Sequence, residues 1–493
     1  MKKIFKLLLV IAFAIVQFIP FVSVNAEHGK NDNSGKITIT KAVKDQTYSV
    51  YQVLVLESYD TEKGAYTYKV NPVWSAFLNG DGSAYVNIEE GTNIVTWVDG
   101  ADAKDFSEKA LAYAKANSIA ATDSKVAEGT TVEFTGLNLG YYLVDSTLGA
   151  WCNLNTTNPT ASIEEKNGIP TVDKEVKEDS TGVFGDSNND EIGSVVYFQT
   201  TINAQNGAEN YVLYDKMDTG LTLDNTSILV VLKSEGKKDK TLVNGTDYVL
   251  STTTEGYTFT IDFEKTVEDK IVSGDQIVVT YSALINENAV VGGTGNKNET
   301  HLVYGDNNES NYDETRTYTF SFNLIKVNNK NEVLSGAEFN LYDAITAGNM
   351  IKLVKVDENT YRVATDDEVN AEGFVSATIV AGNVTILGLD DDASYYLEET
   401  VAPDGYNKLT SRVEVRLNAT IEEDNSSEVT VSGAKSTTVE YVRDTVSIIN
   451  ITGSLLPTTG GMGTVLFVVI GSILVLGFGV LLVTKLRMSK MAL

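Results

Sequence analysis

The chain has 493 residues, and 67 Asp and Glu against 38 Lys and Arg give it a formal net charge of −29 at pH 7. A surface this acidic repels nucleic acid and disfavours binding to anionic lipid head groups. One cysteine, Cys152, excludes an intrachain disulfide, and two histidines leave little material for a histidine-based metal or triad site. We therefore expect no cofactor, no metal and no nucleic-acid partner.

The N-terminus is basic and then apolar. Lys2, Lys3 and Lys6 precede an apolar core over residues 7–21, and small residues lead up to Ala26. This order predicts a secretory signal peptide over residues 1–26, cleaved between Ala26 and Glu27. The alternative is a second membrane anchor.

The exported region alternates short stretches rich in Val, Ile, Thr and Tyr with clusters of Gly, Asn and Asp. Examples are KITIT at 36–40 and VTILGL at 384–389, and this pattern predicts an all-β chain of tandem β-sandwiches. The length suits about three domains. We place them at 27–169, 170–315 and 316–455, with boundaries near Pro170 and Tyr318 and a polar linker in DNNESNYDETR, residues 306–316.

One segment of the first domain has a helical period. Residues 102–117, DAKDFSEKALAYAKAN, bring Phe106, Ala110, Tyr113 and Ala114 to one face. The segment predicts a small helical insertion in the first domain.

The C-terminal region combines an extended pentapeptide, an apolar run and a basic tail. Residues 456–460 read LPTTG, residues 462–483 carry no charge, and Lys485, Arg487 and Lys490 follow. The run is long enough to cross a bilayer, and the basic tail should face the cytoplasm. We predict a transmembrane segment and tail over 461–493, preceded by an accessible backbone.

This arrangement matches the L-P-x-T-G sorting signal of Gram-positive surface proteins. The resemblance implies that a sortase cysteine attacks the carbonyl of Thr459, releases Gly460 and the residues after it, and passes the acyl group to an amine. Leu456, Pro457 and Thr458 complete the motif. The implied partners are a pilin-type sortase, a housekeeping sortase and peptidoglycan, and the implied location is the cell wall, reached through a membrane-anchored precursor.

The third domain resembles the B-type repeats of collagen adhesins and Gram-positive pilins, which have immunoglobulin-like sandwiches. The resemblance rests on FNLIKVNNKNEVLSGAEFNLYD, on YYLEETVAPDGYN at 395–407 and on VSIINITG. In that family a first-strand lysine and a last-strand asparagine form an isopeptide bond, helped by a glutamate. Mapped onto this chain, the trio is Lys326, Asn450 and Glu399.

The chemistry explains those residue types. An amine is nucleophilic only when uncharged, and burial lowers a lysine pKa. A buried acid can stay protonated and polarise the amide carbonyl. Folding supplies the proximity that makes this slow exchange feasible.

The second domain resembles the A-type fold of many pilin shafts, in IPTVDKEVKED, NYVLYDKMDTGLTL and GNKNETHLVYG. The implied trio is Lys174, Asp215 and Asn298, with Lys177 as a competing nucleophile. Lys174 and Asn298 are 124 positions apart, as are Lys326 and Asn450. The equal spacing suggests that each pair joins the first and last strands of its sandwich.

The first domain resembles the family less closely. KITITKAVKDQTYSVYQV offers Lys41, GLNLGYYLVDSTLG offers Asp145 as the acid, and ASIEEKNG offers Asn167. This domain has Asp145-Ser146 where the family has Glu-Thr, and many relatives leave this domain unlinked.

Pilin shaft subunits also carry a polymerising lysine between the first and second domains, often in Y-P-K-N. Here Lys166-Asn167 keeps only the last two letters. Lys166 is the candidate and Lys174 the second choice. The alternative is a solvated charge cluster of Lys166 with Glu164 and Glu165.

Together these features predict a structural subunit of a covalently polymerised pilus that supports adhesion. Its further partners would be other copies of itself, ancillary pilins and a host matrix protein. The alternative is a monomeric wall-anchored adhesin, or a tip or base pilin. We expect no enzyme, because the internal bond would form only once per chain.

Overall fold

A computed structural model of the protein describes residues 27–28, 33–60, 65–156, 160–452 and 462–490. The predicted signal peptide, with Ala26, and the LPTTG pentapeptide lie outside the described residues. Glu27, the predicted new N-terminus, lies in a short strand paired with Tyr59.

The first domain has two sheets and a helical insertion. Its strands are β1 (Glu27–His28), β2 (Gly35–Thr40), β3 (Thr47–Asp60), β4 (Ala65–Val70), β5 (Val86–Ile88), β6 (Ile94–Trp97), β7 (Asp123–Val126), β8 (Thr131–Leu137), β9 (Gly140–Ser146), β10 (Gly149–Thr156) and β11 (Thr160–Glu164). Its helices are α1 (Ser75–Asn79), α2 (Ala103–Ala116) and two 3-10 turns, Pro72–Trp74 and Asp81–Ala84. One sheet has the order β10-β9-β3-β4-β6-β5, with β1 and β7 also paired to β3, and the other has the order β11-β2-β8.

Helix α2 confirms the helix predicted from the sequence. Asp102 caps it, because its side chain accepts hydrogen bonds from the backbone N–H groups of Lys104 and Asp105. The buried face, which includes Phe106 and Ala110, packs on an aromatic cluster around Phe77. Burial of this apolar face holds the insertion against the larger sheet.

The second domain is a sandwich of two sheets. Its strands are β12 (Thr171–Lys177), β13 (Phe184–Gly185), β14 (Ser187–Asn189), β15 (Val195–Asn203), β16 (Val212–Met217), β17 (Leu221–Lys233), β18 (Lys240–Thr241), β19 (Tyr248–Ser251), β20 (Phe259–Phe263), β21 (Gln276–Ile285), β22 (Asn296–Tyr304), β23 (Asn308–Glu309) and β24 (Asp313–Tyr318), with helix α3 (Lys265–Glu268). The sheets have the orders β13-β12-β15-β21-β17-β18 and β14-β24-β22-β16-β20-β19, with β23 paired to β22.

The predicted polar linker over 306–316 is wrong, because most of that segment belongs to this second sheet. Strand β24 pairs antiparallel with β22 and parallel with β14. Its Thr315 and Thr317 are fully buried while polar neighbours point outward. Two threonines on the inner face provide the strand alternation that the surrounding acidic residues obscure.

The third domain is also a two-sheet sandwich. Its strands are β25 (Phe320–Asn328), β26 (Ala337–Tyr342), β27 (Leu353–Lys355), β28 (Thr360–Val363), β29 (Ile379–Ala381), β30 (Asn383–Leu389), β31 (Ser394–Val401), β32 (Val413–Ile421), β33 (Ser427–Ser432), β34 (Val439–Val442) and β35 (Thr445–Asn450), with helix α4 (Asp366–Asn370). The sheets have the orders β27-β28-β30-β25-β35-β34 and β29-β26-β31-β32-β33.

The second and third domains are closely joined. Only Thr319 separates the end of β24 from the start of β25. The Ile192 N–H donates to the Gly388 carbonyl at 3.1 Å, and the Tyr318 hydroxyl donates to the Asn425 carbonyl at 2.9 Å. Their buried apolar residues form one continuous cluster.

Leu148, in the turn between β9 and β10 of the first domain, also belongs to that cluster. The first domain therefore contributes a side chain to the core of its neighbour.

After the three domains, α5 runs from Met462 to Lys490. Its segment Phe467–Met488 is apolar, exposed and long enough to cross a membrane. The predicted all-β tandem-sandwich architecture, the small helical insertion and the C-terminal apolar helix are confirmed.

Candidate functional site

The third-domain residues predicted to react are brought together in the core. Lys326 lies on β25 and Asn450 on β35, which are neighbouring parallel strands, and Glu399 lies on β31 of the facing sheet. The three residues are at most 1 % exposed. The strand alternation that buries Leu324 also turns Lys326 inward.

All three side chains make direct contacts. The Lys326 amine donates to Asn450 Oδ1 at 2.5 Å and lies 3.1 Å from Glu399 Oε1. The Asn450 amide nitrogen donates to the same Glu399 oxygen at 3.0 Å. The other Glu399 oxygen accepts the backbone N–H of Leu409 at 2.7 Å, which fixes the carboxyl.

The surroundings favour an uncharged amine. Burial lowers the pKa of Lys326, and the nearby Glu399 carboxyl opposes this shift. The Phe339 ring lies 5.6 Å from the amine. An amine held against an amide in a dry core is placed for nucleophilic attack on that amide.

The second-domain trio is also fully buried, but its lysine and its asparagine lie on opposite sheets. Lys174 lies on β12, whereas Asp215 on β16 and Asn298 on β22 belong to the facing sheet. The Lys174 amine donates to Asp215 Oδ2 at 2.7 Å. Lys177, the competing nucleophile, is partly exposed at the end of β12 and outside this cluster.

Asn298 reaches the acid through a fourth residue, Tyr281 on β21. The Asn298 amide nitrogen donates to the Tyr281 hydroxyl at 3.1 Å, and this hydroxyl donates to Asp215 Oδ2 at 2.5 Å. The Lys174 amine also contacts the hydroxyl. Asn298 Oδ1 and Asp215 Oδ1 are buried without a hydrogen-bond partner among the described residues.

Sequence reasoning missed Tyr281, although a signal was present. In DQIVVTYSALI, Ile277, Val279, Tyr281 and Ala283 share the period that marks an inward face. A buried tyrosine needs a partner for its hydroxyl, and the nearby lysine, acid and amide provide one.

Burial shifts the two charged groups of the second domain in opposite directions. It lowers the pKa of Lys174, against the pull of Asp215. It raises the pKa of Asp215, against the pull of Lys174 and of the Tyr281 hydrogen bond. Both directions favour a neutral amine beside a neutral acid.

The expectation that each pair lies on the first and last strands of its sandwich agrees with the third domain, where Lys326 and Asn450 occupy β25 and β35, and is wrong for the second. Asn298 lies on β22, and β23 and β24 follow it in the same sheet. Equal spacing in sequence therefore leads to different positions in the two sandwiches.

The first-domain trio is not brought together. Lys41 follows β2 in a left-handed backbone conformation, φ 56°, that turns it out of the sheet. Its side chain is exposed, and its amine lies 2.5 Å from Glu164 Oε1. Asp145 and Asn167 are buried elsewhere.

Asp145 and Asn167 lie at the junction with the second domain. The Asn167 amide nitrogen donates to Ser146 Oγ at 3.3 Å, and Gly168 N–H donates to the Asn206 carbonyl of the second domain at 3.2 Å. Burial raises the pKa of Asp145 to about 7, and Lys115 moderates this shift. The amine of Lys115 pairs with Asp306 of the second domain at 3.2 Å.

Lys166 is exposed in the segment between β11 and β12, and its backbone N–H donates to Glu165 Oε1 at 2.8 Å. Lys174, the second choice as polymerising lysine, is fully buried and paired with Asp215. Of the two, only Lys166 is accessible to another molecule.

Acidic side chains gather where the second and third domains meet. Carboxylate oxygens of Asp179, Asp190 and Asp390 lie within 4.8 Å of one another, as do those of Asp390, Asp391 and Asp392. Such oxygens are the ligands that Ca²⁺ prefers. Several accept backbone N–H bonds, such as that from Ala419 to Asp391 at 3.0 Å, which satisfies loop carboxylates without a metal.

Comparison with known proteins matches two of the three domains to families. Residues 320–435 match the SpaA prealbumin-like fold domain, and residues 192–308 match the Cna-B-like domain of Gram-positive pilin backbone subunit 2. The second description names a B-like domain, where the sequence resemblance led us to expect an A-type one.

Two relatives extend the comparison. The chain is 25 % identical over 289 residues to the trypsin-resistant surface T6 protein of Streptococcus pyogenes serotype M6, and this match covers 51 % of the chain and 47 % of the relative. The chain thus aligns with about half the length of that relative. The solved T6 backbone pilin of serotype M6 Streptococcus pyogenes, a modular three-domain structure, superposes with a TM-score of 0.51 and 16 % identity over 85 % of the chain and 98 % of that structure.

The fold and the two domain matches are those of modular β-sandwich pilin subunits of Gram-positive bacteria, which are structural proteins. Within that class, the chain is a relative of the Gram-positive backbone pilins.

Proposed function

We propose that the chain is the shaft subunit of a covalently polymerised surface pilus. In this proposal, its second and third domains are each closed by an autocatalytic isopeptide bond, Lys174–Asn298 and Lys326–Asn450. The observation that carries the proposal is the burial of two lysine–acid–asparagine clusters in apolar cores. Buried ion pairs are costly for stability alone, so two such clusters favour a chemical role.

The third-domain contacts support a stepwise route. Lys326 passes one proton to Glu399, 3.1 Å away, and becomes a neutral amine. Rotation of the Asn450 amide turns its oxygen toward the protonated acid, and the two orientations of an amide differ only in the exchange of O and N. The polarised carbonyl carbon is then open to attack by the amine.

The atoms balance in this step. A bond forms between Lys326 Nζ and Asn450 Cγ, and the Cγ–Nδ2 bond breaks. The departing nitrogen takes one proton from the amine and leaves as ammonia. The proton that Lys326 passed to Glu399 at the start stays there, and the last of the three amine protons remains on the new amide nitrogen.

Intact mass of the full-length chain, expressed without sortases and purified in detergent, tests the internal bonds. We expect a mass lower than the sequence by two ammonia equivalents. Glu399→Ala and Asp215→Ala should each restore one, and exposed Lys41→Ala should restore none. An unmodified wild-type mass would contradict both bonds.

Polymerisation is proposed to use the two ends of the shaft. A sortase would cleave between Thr459 and Gly460, and Lys166 of another copy would accept the acyl group. The exposure of Lys166 and the burial of Lys174 support this choice. A pilin-type sortase, a housekeeping sortase, peptidoglycan, ancillary pilins and a host matrix protein are the proposed partners at the cell wall.

The polymer is tested in cells that carry a pilin-type sortase. Wild type should give a ladder of heat- and detergent-resistant species, and Lys166→Ala should remove it. Lys41→Ala is a matched control, because Lys41 is exposed and pairs with Glu164, close to Lys166 in the chain. A wild type that runs only as a monomer would favour a wall-anchored adhesin or an ancillary pilin instead.

A further inference from the structure

The second-domain cluster differs from the third-domain cluster in that the hydroxyl of Tyr281 lies between its acid and its amide. We propose that Tyr281 is a catalytic residue of the second-domain bond, relaying a proton between Asp215 and the departing nitrogen of Asn298. This inference rests on the proposed isopeptide bond and names a residue that the three-residue resemblance does not contain.

The hydroxyl is fully engaged with the reacting groups. It donates to Asp215 Oδ2 at 2.5 Å, accepts from the Asn298 amide nitrogen at 3.1 Å and contacts the Lys174 amine. A hydroxyl has one proton to donate and two lone pairs to accept with. One atom therefore contacts the nucleophile, the acid and the leaving group.

The ring is held so that the hydroxyl stays at this point. Phe198, its partner on the adjacent strand β15, stacks on it at 5.5 Å and 23°. Phe259 meets it edge-on at 5.0 Å and 79°. Tyr281 itself is 2 % exposed, so its position is fixed by packing.

A relay is needed because Asp215 has no direct contact with Asn298 among the described hydrogen bonds. In the third domain, the longer Glu399 reaches the Asn450 amide itself, at 3.0 Å. An aspartate is one methylene shorter. The tyrosine hydroxyl fills the gap that this shorter side chain leaves.

The relay balances without a charged tyrosine. Lys174 gives a proton to Asp215, and its neutral amine attacks Cγ of Asn298. As the Cγ–Nδ2 bond breaks, Tyr281 gives its proton to the nitrogen and takes another from Asp215. The attacking amine returns a proton to Asp215, and ammonia leaves.

The environment keeps Tyr281 protonated between these transfers. Burial raises the pKa of its hydroxyl well above the ordinary value, and the neighbouring Asp215 adds to this shift. The residue can pass a proton on only as it receives another.

The test is the rate of second-domain linkage in the full-length chain, made without sortases and followed by mass spectrometry of digested peptides. Tyr281→Phe should slow the Lys174–Asn298 linkage roughly 100-fold or more, the usual weight of a proton-transfer group. The Lys326–Asn450 linkage should keep its wild-type rate as an internal control. Tyr304→Phe, at a buried tyrosine of the same domain packed on Tyr211, should have no effect.

A second variant separates lost chemistry from lost folding. The hydroxyl removed by Tyr281→Phe leaves room for a longer acid, so adding Asp215→Glu should recover part of the rate by direct contact with Asn298. Hydrogen exchange should show that β21 remains protected in both variants.

The outcomes separate the two proposals. Wild-type linkage in Tyr281→Phe would overturn the relay and leave the isopeptide bond intact. Linkage in Tyr281→Phe could be slow and stay slow after Asp215→Glu is added, with β21 losing its protection from hydrogen exchange. That result would mean that Tyr281 only supports the core. No second-domain linkage in wild type would contradict the proposed bond itself.

Discussion

The second and third domains bury the same three kinds of side chain in different geometries. In the third domain, the lysine and the amide lie on neighbouring parallel strands of one sheet, and a glutamate from the facing sheet contacts both. In the second domain, the lysine and the amide lie on facing sheets, and a tyrosine connects the amide to the shorter acid. The comparison teaches that the reach of the acid, and not the sequence spacing of the pair, sets whether the acid contacts the amide directly or through another side chain.

The same difference changes which parts of the sandwich each proposed bond would connect. The third-domain bond would fasten two adjacent strands at the two ends of the domain. The second-domain bond would fasten one sheet to the other and leave β23 and β24 outside the closed loop. This contrast can be tested at several levels.

The largest expected effect is on stability. Asn298→Ala or Asn450→Ala would remove a proposed crosslink that closes more than 100 residues, which by chain-entropy reasoning is worth about 5 kcal/mol of unfolding free energy. Because both pairs are 124 positions apart, the two losses should be similar. Denaturant-dependent hydrogen exchange measures them domain by domain in the full-length chain.

Asn418→Ala, at an exposed position of β32, is the control and should change stability little. A loss confined to one of the two domains would show that only that domain is crosslinked.

Pulling on the chain should distinguish the second domain from the third by how far each extends under force. Force would pass from Lys174 to Asn298 through the bond and then along residues 299–318, which can peel from the sheet. We expect a second-domain extension of at most about 70 Å, the contour length of that segment. Single-molecule force spectroscopy measures this step, and Asn298→Ala should replace it with the much longer extension of a whole domain.

Replacing each acid by the other type, Glu399 by Asp and Asp215 by Glu, should slow the formation of the bond in its own domain. Glu399→Asp withdraws the carboxyl from Lys326 and Asn450, while Asp215→Glu overpacks a fully buried site that still contains Tyr281. We expect linkage rates to fall 10²- to 10⁴-fold, equivalent to about 3–5 kcal/mol of barrier. Mass spectrometry of linked peptides over time gives both rates, and an unchanged rate in Glu399→Asp would contradict the role of direct acid contact.

The smallest expected effect concerns the first domain and its buried acid, Asp145. Burial raises the pKa of Asp145 to about 7, with Lys115 opposing and Asp306 and Glu209 reinforcing the shift. The folded carboxyl therefore holds its proton to higher pH than the unfolded one. Stability should fall by on the order of 2–4 kcal/mol as pH rises from about 4 to about 7, and stay level above that.

Asp145→Asn should remove most of this slope. The measurement is the exchange-derived stability of the first domain at pH 5 and pH 7.5, with Asp99→Asn at an exposed position as the control. A slope that persists in Asp145→Asn would assign the pH dependence to other groups.

Much of this molecule could be predicted from its sequence. Period-2 alternation identifies the strands, and the N-cap Asp102 with its apolar face identifies α2. The third-domain trio could be identified because a nearly complete local motif places Glu399, and Lys326 and Asn450 lie on the first and last strands.

What could not be predicted depends on long-range register and backbone direction. Tyr281 meets Asn298 only because β21 and β22 face each other in different sheets. Lys41 leaves the core because of one left-handed residue after β2. The acidic segment before the third domain hides a strand, β24, whose inward threonines pair across to β22.

The single residue between β24 and β25 also limits how the protein can bend. Thr319 is the whole connection between the two strands. Hydrogen bonds donated by Ile192 and Tyr318 of the second domain to the third hold the two sandwiches together at this point. Swivelling at this joint would break those bonds and open a shared core. In a fibre of such subunits, compliance would concentrate at the contacts between successive subunits, and the persistence length would be set there.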